Sequence, residues 1–275
     1  MLGARSRVVR LDGKAPQTLS GYATRTPVVA FCPADLELVS GSASGRRRLL
    51  DRVALFVDPP GADARLRYER AMRSRQRVLD ERGPSARELD AFEMVMAEDG
   101  ARFALARERA AAGVAERLGA IFGRLATPDL AVRARYDPAG TVDAAGFLAK
   151  LRELRAADTR RGGATFGPQR DELELELAGR PARSHASQGQ QRLLTLALKL
   201  SELDCIRDAR GAHPVLLLDD VSSELDPERT HAVHELLVSS ESQVFVTTTR
   251  ADLFPEAPRG ASDRADFRLS AGALV

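Results

Sequence analysis

The 275 residues carry 41 Lys and Arg against 39 Asp and Glu, a formal net charge of +2, with 44% apolar and 29% charged residues. That length suits one large domain or a domain with an insertion, and the near-neutral balance supplies no whole-molecule field that would draw in nucleic acid. No apolar run approaches the roughly 18–20 residues that span a bilayer, and Met1-Leu2-Gly3-Ala4-Arg5 has no signal-peptide shape, so the expected location is cytoplasmic. Cys32 and Cys205 lie far apart among apolar neighbours, which suits buried free thiols in a reducing compartment.

Residues 5–12 (RSRVVRLD) and 28–31 (VVAF) are expected to be short strands, with a turn at Asp12-Gly13. Pro33-Ala34-Asp35 opens a short helix, since Pro fits a first turn and Asp the positive helix end. A Gly/Ser loop from Ser40 to Gly45 leads into Arg46-Arg47-Arg48.

From about 61 to 122 long helical periods take over. Ala64, Tyr68, Met72 and Leu79 share one face, and Phe92, Met96, Phe103, Ala110, Val114, Leu118, Ile121 and Leu125 recur at helical steps. Gly83-Pro84-Ser85 breaks the two, with Ser85 as an N-cap. They form either an antiparallel arm with a narrow apolar seam or two core helices of a helical subdomain.

Sheet then returns. Leu130–Tyr136 alternates as a strand, Asp143 caps a helix to Ala157, and Ala164–Phe166 and Leu173–Leu177 are strands around the loop Gly167-Pro168-Gln169-Arg170-Asp171-Glu172. A helix over about 190–208, the apolar strand 215–218, a helix after Pro227 and strands at 243–247 and 267–269 complete the chain. Strands alternating with helices argue for an α/β layer interrupted by a helical insertion: residues 1–58 and 125–275 for the layer, 59–124 for the inserted arm.

Three short motifs carry the chemistry. Val215-Leu216-Leu217-Leu218 suits a parallel strand buried on both faces, so Asp219-Asp220 sits at the carboxyl end of the sheet, where open α/β folds bind ligands. There Asp219 suits a magnesium ion held through its water shell, and Asp220 suits orienting or deprotonating an attacking water. An ordinary turn after a core strand would also accommodate the pair. Ser187-Gln188-Gly189-Gln190 opens a helix whose free N–H groups and dipole favour an anion, and Gly189 permits close approach to the backbone. Ser223-Glu224-Leu225-Asp226 follows the acidic pair at the spacing of a loop along a dimer interface, while Asp226-Pro227 also fits a helix N-cap with Pro next. A phosphate-cradling G-x-x-x-x-G-K-[ST] loop is nowhere in the sequence.

SQGQQR, LLLDDVSSELD and QVFVTTT in this order resemble the ABC-type ATPase heads of DNA-repair and chromosome-maintenance proteins, and within that group the RecF family of bacterial recombination mediators. Phe31–Val39 (FCPADLELV), Ser44–Asp51 (SGRRRLLD) and Gly167–Glu172 (GPQRDE) resemble three further segments of that family, so the similarity runs from Arg5 to Val275. The resemblance implies an α/β ATPase head with a helical arm, lacking the family's first strand, Walker A loop and first helix. It implies ATP and Mg2+ as cofactors, weak DNA-stimulated hydrolysis, and a homodimer closing on ATP with Ser187, Gln188, Gly189 and Gln190 serving the partner's nucleotide. It further implies a clamp on double-stranded and gapped DNA, with RecR and RecO as partners and RecA loaded indirectly. Gln169 stands where the family commonly has His. Thr247-Thr248-Thr249 stands where transporter heads place a His, making Thr248 the candidate for contact with the γ-phosphate.

Between residues 41 and 82 the chain has eleven Arg against six Asp and Glu. Arg46, Arg47, Arg48, Arg73, Arg75 and Arg77 are the candidates for DNA phosphates; a solvated helix face with internal ion pairs is the competing interpretation. Aromatic residues are 5% and Trp is absent, so no stacking platform for single strands is visible. Two other functional readings stand: a fragment of a RecF-like protein that binds no ATP by itself, and the ATPase subunit of a transporter.

Overall fold

The computed structural model describes residues 8–15, 24–126, 130–141, 143–221, 226–249, 264–270 and 273–274. In chain order the elements are β1 (Val28–Phe31), α1 (Glu37–Ser40), α2 (Ala43–Val57), α3 (Pro59–Arg82), α4 (Leu89–Leu125), β2 (Val132–Asp137), α5 (Ala144–Glu153), α6 (Arg155–Arg161), β3 (Glu172–Leu177), β4 (Arg180–Pro181), α7 (Ala182–His185), α8 (Gln188–Arg210), β5 (Val215–Asp219), α9 (Pro227–Val238), β6 (Val244–Thr247), β7 (Leu269–Ser270) and β8 (Ala273–Leu274).

β1, β5 and β6 form a parallel sheet in the order β1-β5-β6, with Phe31 beside Leu218 and Asp219 beside Thr247. Alternation along the strands sends Val29, Phe31, Leu216 and Leu218 into the core. The opposite face carries Val28, Leu217 and Phe245, which are 47%, 38% and 53% exposed. The expectation that the 215–218 strand is buried on both faces is therefore corrected: among the described residues, one face is covered. A second, antiparallel sheet pairs β2 with β3 and β3 with β4.

Helix α8 fills the space under the parallel sheet. Leu193, Leu194, Leu196, Ala197, Leu198, Leu200, Leu203 and Ile206 are all buried, together with the polar Arg192, Thr195, Lys199, Ser201 and Glu202, so the helix is enclosed on most of its sides. Its buried charges are paired: Lys199 Nζ lies 3.2 Å from Glu202, which also accepts from Arg52 at 2.6 and 3.0 Å.

Helices α3 and α4 run antiparallel, as the contacts Arg67–Asp99 and Arg75–Glu93 require. The apolar seam between them is interrupted by ions. Arg75, 1% exposed, donates to Glu93, Asp158 and the Leu151 carbonyl at 2.9, 2.7 and 2.8 Å. The apolar residues divide into two clusters. Tyr68, Ala71, Met96, Ala97 and Phe103 pack with Phe147 and Leu151 of α5, whereas Ala106 to Leu125 of α4 join the large core under the sheet. Helix α4 thus belongs to both, passing from one cluster to the other between Phe103 and Ala106.

Several local expectations change. Residues 8–10 are irregular, and a single bridge joins Leu11 to Lys14 around Asp12 (φ 49°) and Gly13 (φ 79°); an isolated two-stranded hairpin gains too little packing to extend. Residues 5–7 lie outside the described ones. Ala164–Phe166 is not a strand, because its polar groups bond side chains: Thr165 N–H donates to Asp158, and Ala164 and Phe166 carbonyls accept from Gln169. The second long helix begins at Leu89 rather than after Ser85. Asp143 caps α5 as expected, accepting from the Ala145 and Gly146 N–H groups, but the helix resets at Leu154 into α6.

Candidate nucleotide site

Asp219 ends β5 and Asp220 follows it out of the sheet with φ 50°. Left-handed backbone is unfavourable for a residue with a Cβ and persists where neighbours fix it. Thr247 supplies one such neighbour. Asp220 N–H donates to both the Thr247 carbonyl and Thr247 Oγ1 at 3.1 Å, and Thr247 Oγ1 donates to Asp219 Oδ1 at 2.7 Å. Thr247 thus brings a hydroxyl to the acidic pair; Thr248, the candidate for contact with the γ-phosphate, is its half-buried neighbour. The Asp220 carbonyl accepts from Arg192 of α8.

Ser187 is the N-cap of α8. Its Oγ accepts from Gln190 N–H at 3.3 Å, and Gln190 Oε1 accepts from Ser187 N–H at 2.8 Å, a reciprocal capping box. Beside it stands the start of α9, where Asp226 caps the helix by accepting from Arg229 N–H at 2.8 Å. A Cβ on Gly189 would lie 3.4 Å from Arg229 Nη1, so Gly189 leaves room for that guanidinium. Ser223, Glu224 and Leu225 lie outside the described residues. The structure therefore joins the helix start, the acidic strand end and the Asp226 corner in one region, through Arg192 and Arg229.

The donor set suits a hard divalent cation as a shared ligand. Among the described residues no group of three His, Cys, Asp or Glu could hold a metal. One exposed carboxylate, Asp219, oriented by a hydroxyl, matches an ion that keeps waters and takes further ligands from phosphates.

No protein-family model matches the sequence. Whole-chain similarity is decisive instead. The DNA replication and repair protein RecF of Anaeromyxobacter sp. (strain Fw109-5) is 39% identical over 275 residues, covering 97% of this chain and 73% of that protein. RecF of Myxococcus xanthus (strain DK1622) is 39% identical over 264 residues, covering 92% and 69%. The chain belongs to the RecF family. Among solved structures, the recombination mediator protein RecF-ATP in the RecFOR pathway superposes with a TM-score of 0.81 at 25% identity, covering 98% of this chain and 72% of that one. The corresponding RecF-ATPrS structure gives 0.79 at 24% identity, covering 97% and 72%. The fold is accordingly the RecF-type ABC ATPase head, α/β with long inserted helices.

In this RecF-family chain two of the DNA-contact candidates are corrected by burial. Arg46, 6% exposed, makes a bidentate pair with Glu172 at 2.7 and 2.8 Å and donates to the Leu38 and Gly41 carbonyls. Arg75 is the buried ion already described. Both are spent on the interior and present nothing to a phosphate. Arg47 is half-buried and donates to the Asp171 carbonyl at 2.8 Å; burial, with the nearby Arg107 charge, lowers its pKa. Arg48, Arg73 and Arg77 are exposed.

The Gly167–Glu172 segment is a fastening between the long helices and the second sheet. Gly167 has φ 117°, and a Cβ there would come within 2.4 Å of the Tyr68 hydroxyl, so glycine is needed on both counts. Tyr68 donates to Gln169 Oε1 at 2.5 Å. Asp171, fully buried, accepts from Arg107 at 2.9 Å, Tyr136 at 2.5 Å and Ala139 N–H at 3.0 Å. Arg107 also holds Asp51 at 2.7 Å and caps the Phe103 ring at 4.3 Å. Burial disfavours the Arg107 charge, yet Asp51 and Asp171 outweigh it and raise its pKa. Burial raises Glu172, but the Arg46 hydrogen bonds and charge prevail and hold it below the usual carboxylate range. Sequence reasoning missed Arg192, Thr247, Arg107 and Arg229. The one available signal was an Arg directly before Leu193-Leu194, a charge placed where the helix is otherwise apolar.

Proposed function

We propose that this chain contributes the signature and acidic half of a composite ATP site in a RecF-type mediator of DNA repair and replication. The observation that carries the reading is the junction of two motifs distant in sequence. The capped, anion-favouring start of α8 at Ser187 and the carboxylates Asp219 and Asp220 are tied into one region by Arg192. The ATP named for the solved RecF-ATP structure supports nucleotide as the ligand.

In this reading Ser187, Gln188, Gly189 and Gln190 meet the γ-phosphate of a nucleotide held by the other subunit of a homodimer. Asp219, oriented by Thr247, holds a hydrated Mg2+ that offsets phosphate charge, and Asp220 orients the attacking water. Asp226 lies along the subunit interface. Closure clamps double-stranded DNA near gaps, with Arg48, Arg73 and Arg77 on phosphates. RecR and RecO are the partners that load RecA. No described helix is long and apolar enough to cross a membrane.

The sequence has no G-x-x-x-x-G-K-[ST] loop, so no phosphate-gripping loop is assigned within these 275 residues. A second reading follows from that observation: these residues by themselves bind ATP weakly. Equilibrium dialysis of the chain with ATP and Mg2+ tests this second reading, which tight binding would overturn. The composite site is tested by ATP-dependent self-association of the longest polypeptide encoded by its reading frame. Ser187→Arg should abolish it, because the larger cation fills the phosphate position; persistence of the ATP-dependent dimer would overturn the reading.

A further inference from the structure

We infer that Arg192 is a positioning residue that makes the acidic strand end and the signature helix one unit, so that a change at Asp219-Asp220 is felt at Ser187–Gln191. Arg192 is 3% exposed. It sits on α8 a turn and a half beyond its cap, between Gln191 and the buried Leu193. Its Nη2 donates to the Asp220 carbonyl, and its guanidinium stands 5.8 Å from the centre of the Phe31 ring.

Asp220 is gripped on both sides. On its N–H side is Thr247, through a carbonyl and a hydroxyl each at 3.1 Å; on its carbonyl side is Arg192. Between the two grips the residue holds φ 50°, a conformation that persists only where neighbours fix it. Relaxation would swing the carbonyl away from Arg192, and a buried guanidinium losing a charge-assisted partner must follow it or find another. That motion acts on the turn of α8 carrying the Ser187–Gln190 capping box.

The functional consequence rests on the composite-site reading. There Ser187 serves one nucleotide and Asp219-Asp220 another, so Arg192 links two nucleotide sites through a single protomer. Such a link lets loss of nucleotide at one site weaken closure at the other.

Amide hydrogen exchange at Gln190 and Gln191, whose N–H groups bond Ser187, tests the link as a double-mutant cycle. The full chain is compared with Thr247→Val, Arg192→Leu and the double variant, without nucleotide. Thr247→Val should accelerate exchange at these two amides roughly fivefold, the lower end of coupling between sites. In the Arg192→Leu background the same Thr247→Val change should have no effect. Equal acceleration in both backgrounds, or none with Arg192 present, overturns the inference. A merely structural Arg192 would change the baseline and leave the Thr247 effect intact. Should Arg192→Leu fail to fold, Arg192→Gln, neutral and shorter, is read in the same way. Because no nucleotide is used, failure here leaves the dimerisation test untouched, and failure of that test leaves this one standing.

Discussion

Tyr68 on α3 donates its hydroxyl to Gln169 Oε1 at 2.5 Å, joining the helical hairpin to the segment before β3. Gln169 in turn donates to the Phe166 carbonyl at 2.8 Å, so one amide holds a non-repetitive stretch in place. Tyr68→Phe leaves a buried acceptor without its donor and should cost about 1–3 kcal/mol. Urea denaturation of the two proteins measures this, with an unchanged m-value expected.

The tyrosines also set an alkaline limit. Burial, then the Asp171 charge, pushes the Tyr68 pKa far up. Burial and Asp171 do the same for Tyr136. An unfolded chain releases these protons near pH 10 while the folded one retains them, so the unfolded state binds fewer protons there. Their contribution is complete below about pH 10 and falls as pH rises above it. The urea midpoint should drop between pH 9 and 11, and Tyr136→Phe should flatten the drop. An unchanged slope would refute the assignment.

Buried ions and exposed ones should separate cleanly on substitution. Arg75→Met strands Asp158 and weakens the partners of Glu93, and breaking such a buried pair costs about 3–5 kcal/mol. A melting temperature within error of the parent would contradict this. Arg73→Ala and Arg77→Ala should leave melting unchanged. If they contact phosphates, each lowers the slope of log K against log salt by about 1 in duplex-DNA binding.

The uncovered face of the parallel sheet predicts a solubility effect. Val28, Leu217 and Phe245 form an exposed apolar surface, and such patches promote association. Phe245→Ser should reduce concentration-dependent light scattering without lowering the melting temperature.

The motifs were legible because each is local. A Ser cap, four apolar residues before two Asp, and an Asp-Pro helix start are written in consecutive positions, and the structure places Ser187, Asp219 and Asp226 accordingly. What escaped was long-range. Arg46 and Arg75 look like surface cations in a basic stretch, but their carboxylate partners lie 126 and 83 positions away at Glu172 and Asp158. Thr247 and Thr248 are equivalent by composition; strand register alone sets Thr247 beside Asp219. The 215–218 strand suggested two covered faces because apolar runs report hydrophobicity and not which neighbours arrive.

Helix α4, continuous over 37 residues, is about 55 Å long at 1.5 Å per residue. Its last stretch from Ala106 is embedded under the sheet with α8, while its first part packs with α3 against Phe147 and Leu151. It therefore works as a lever whose longer part, about 30 Å from Ala106 to Leu125, is set in the same core as the signature helix. With roughly 25 Å of helix beyond Ala106, a tilt of about 10° in the core carries the far end through roughly 4 Å, more than the diameter of a water molecule. A tilt of that size against α8 would change what the tip of the hairpin can touch.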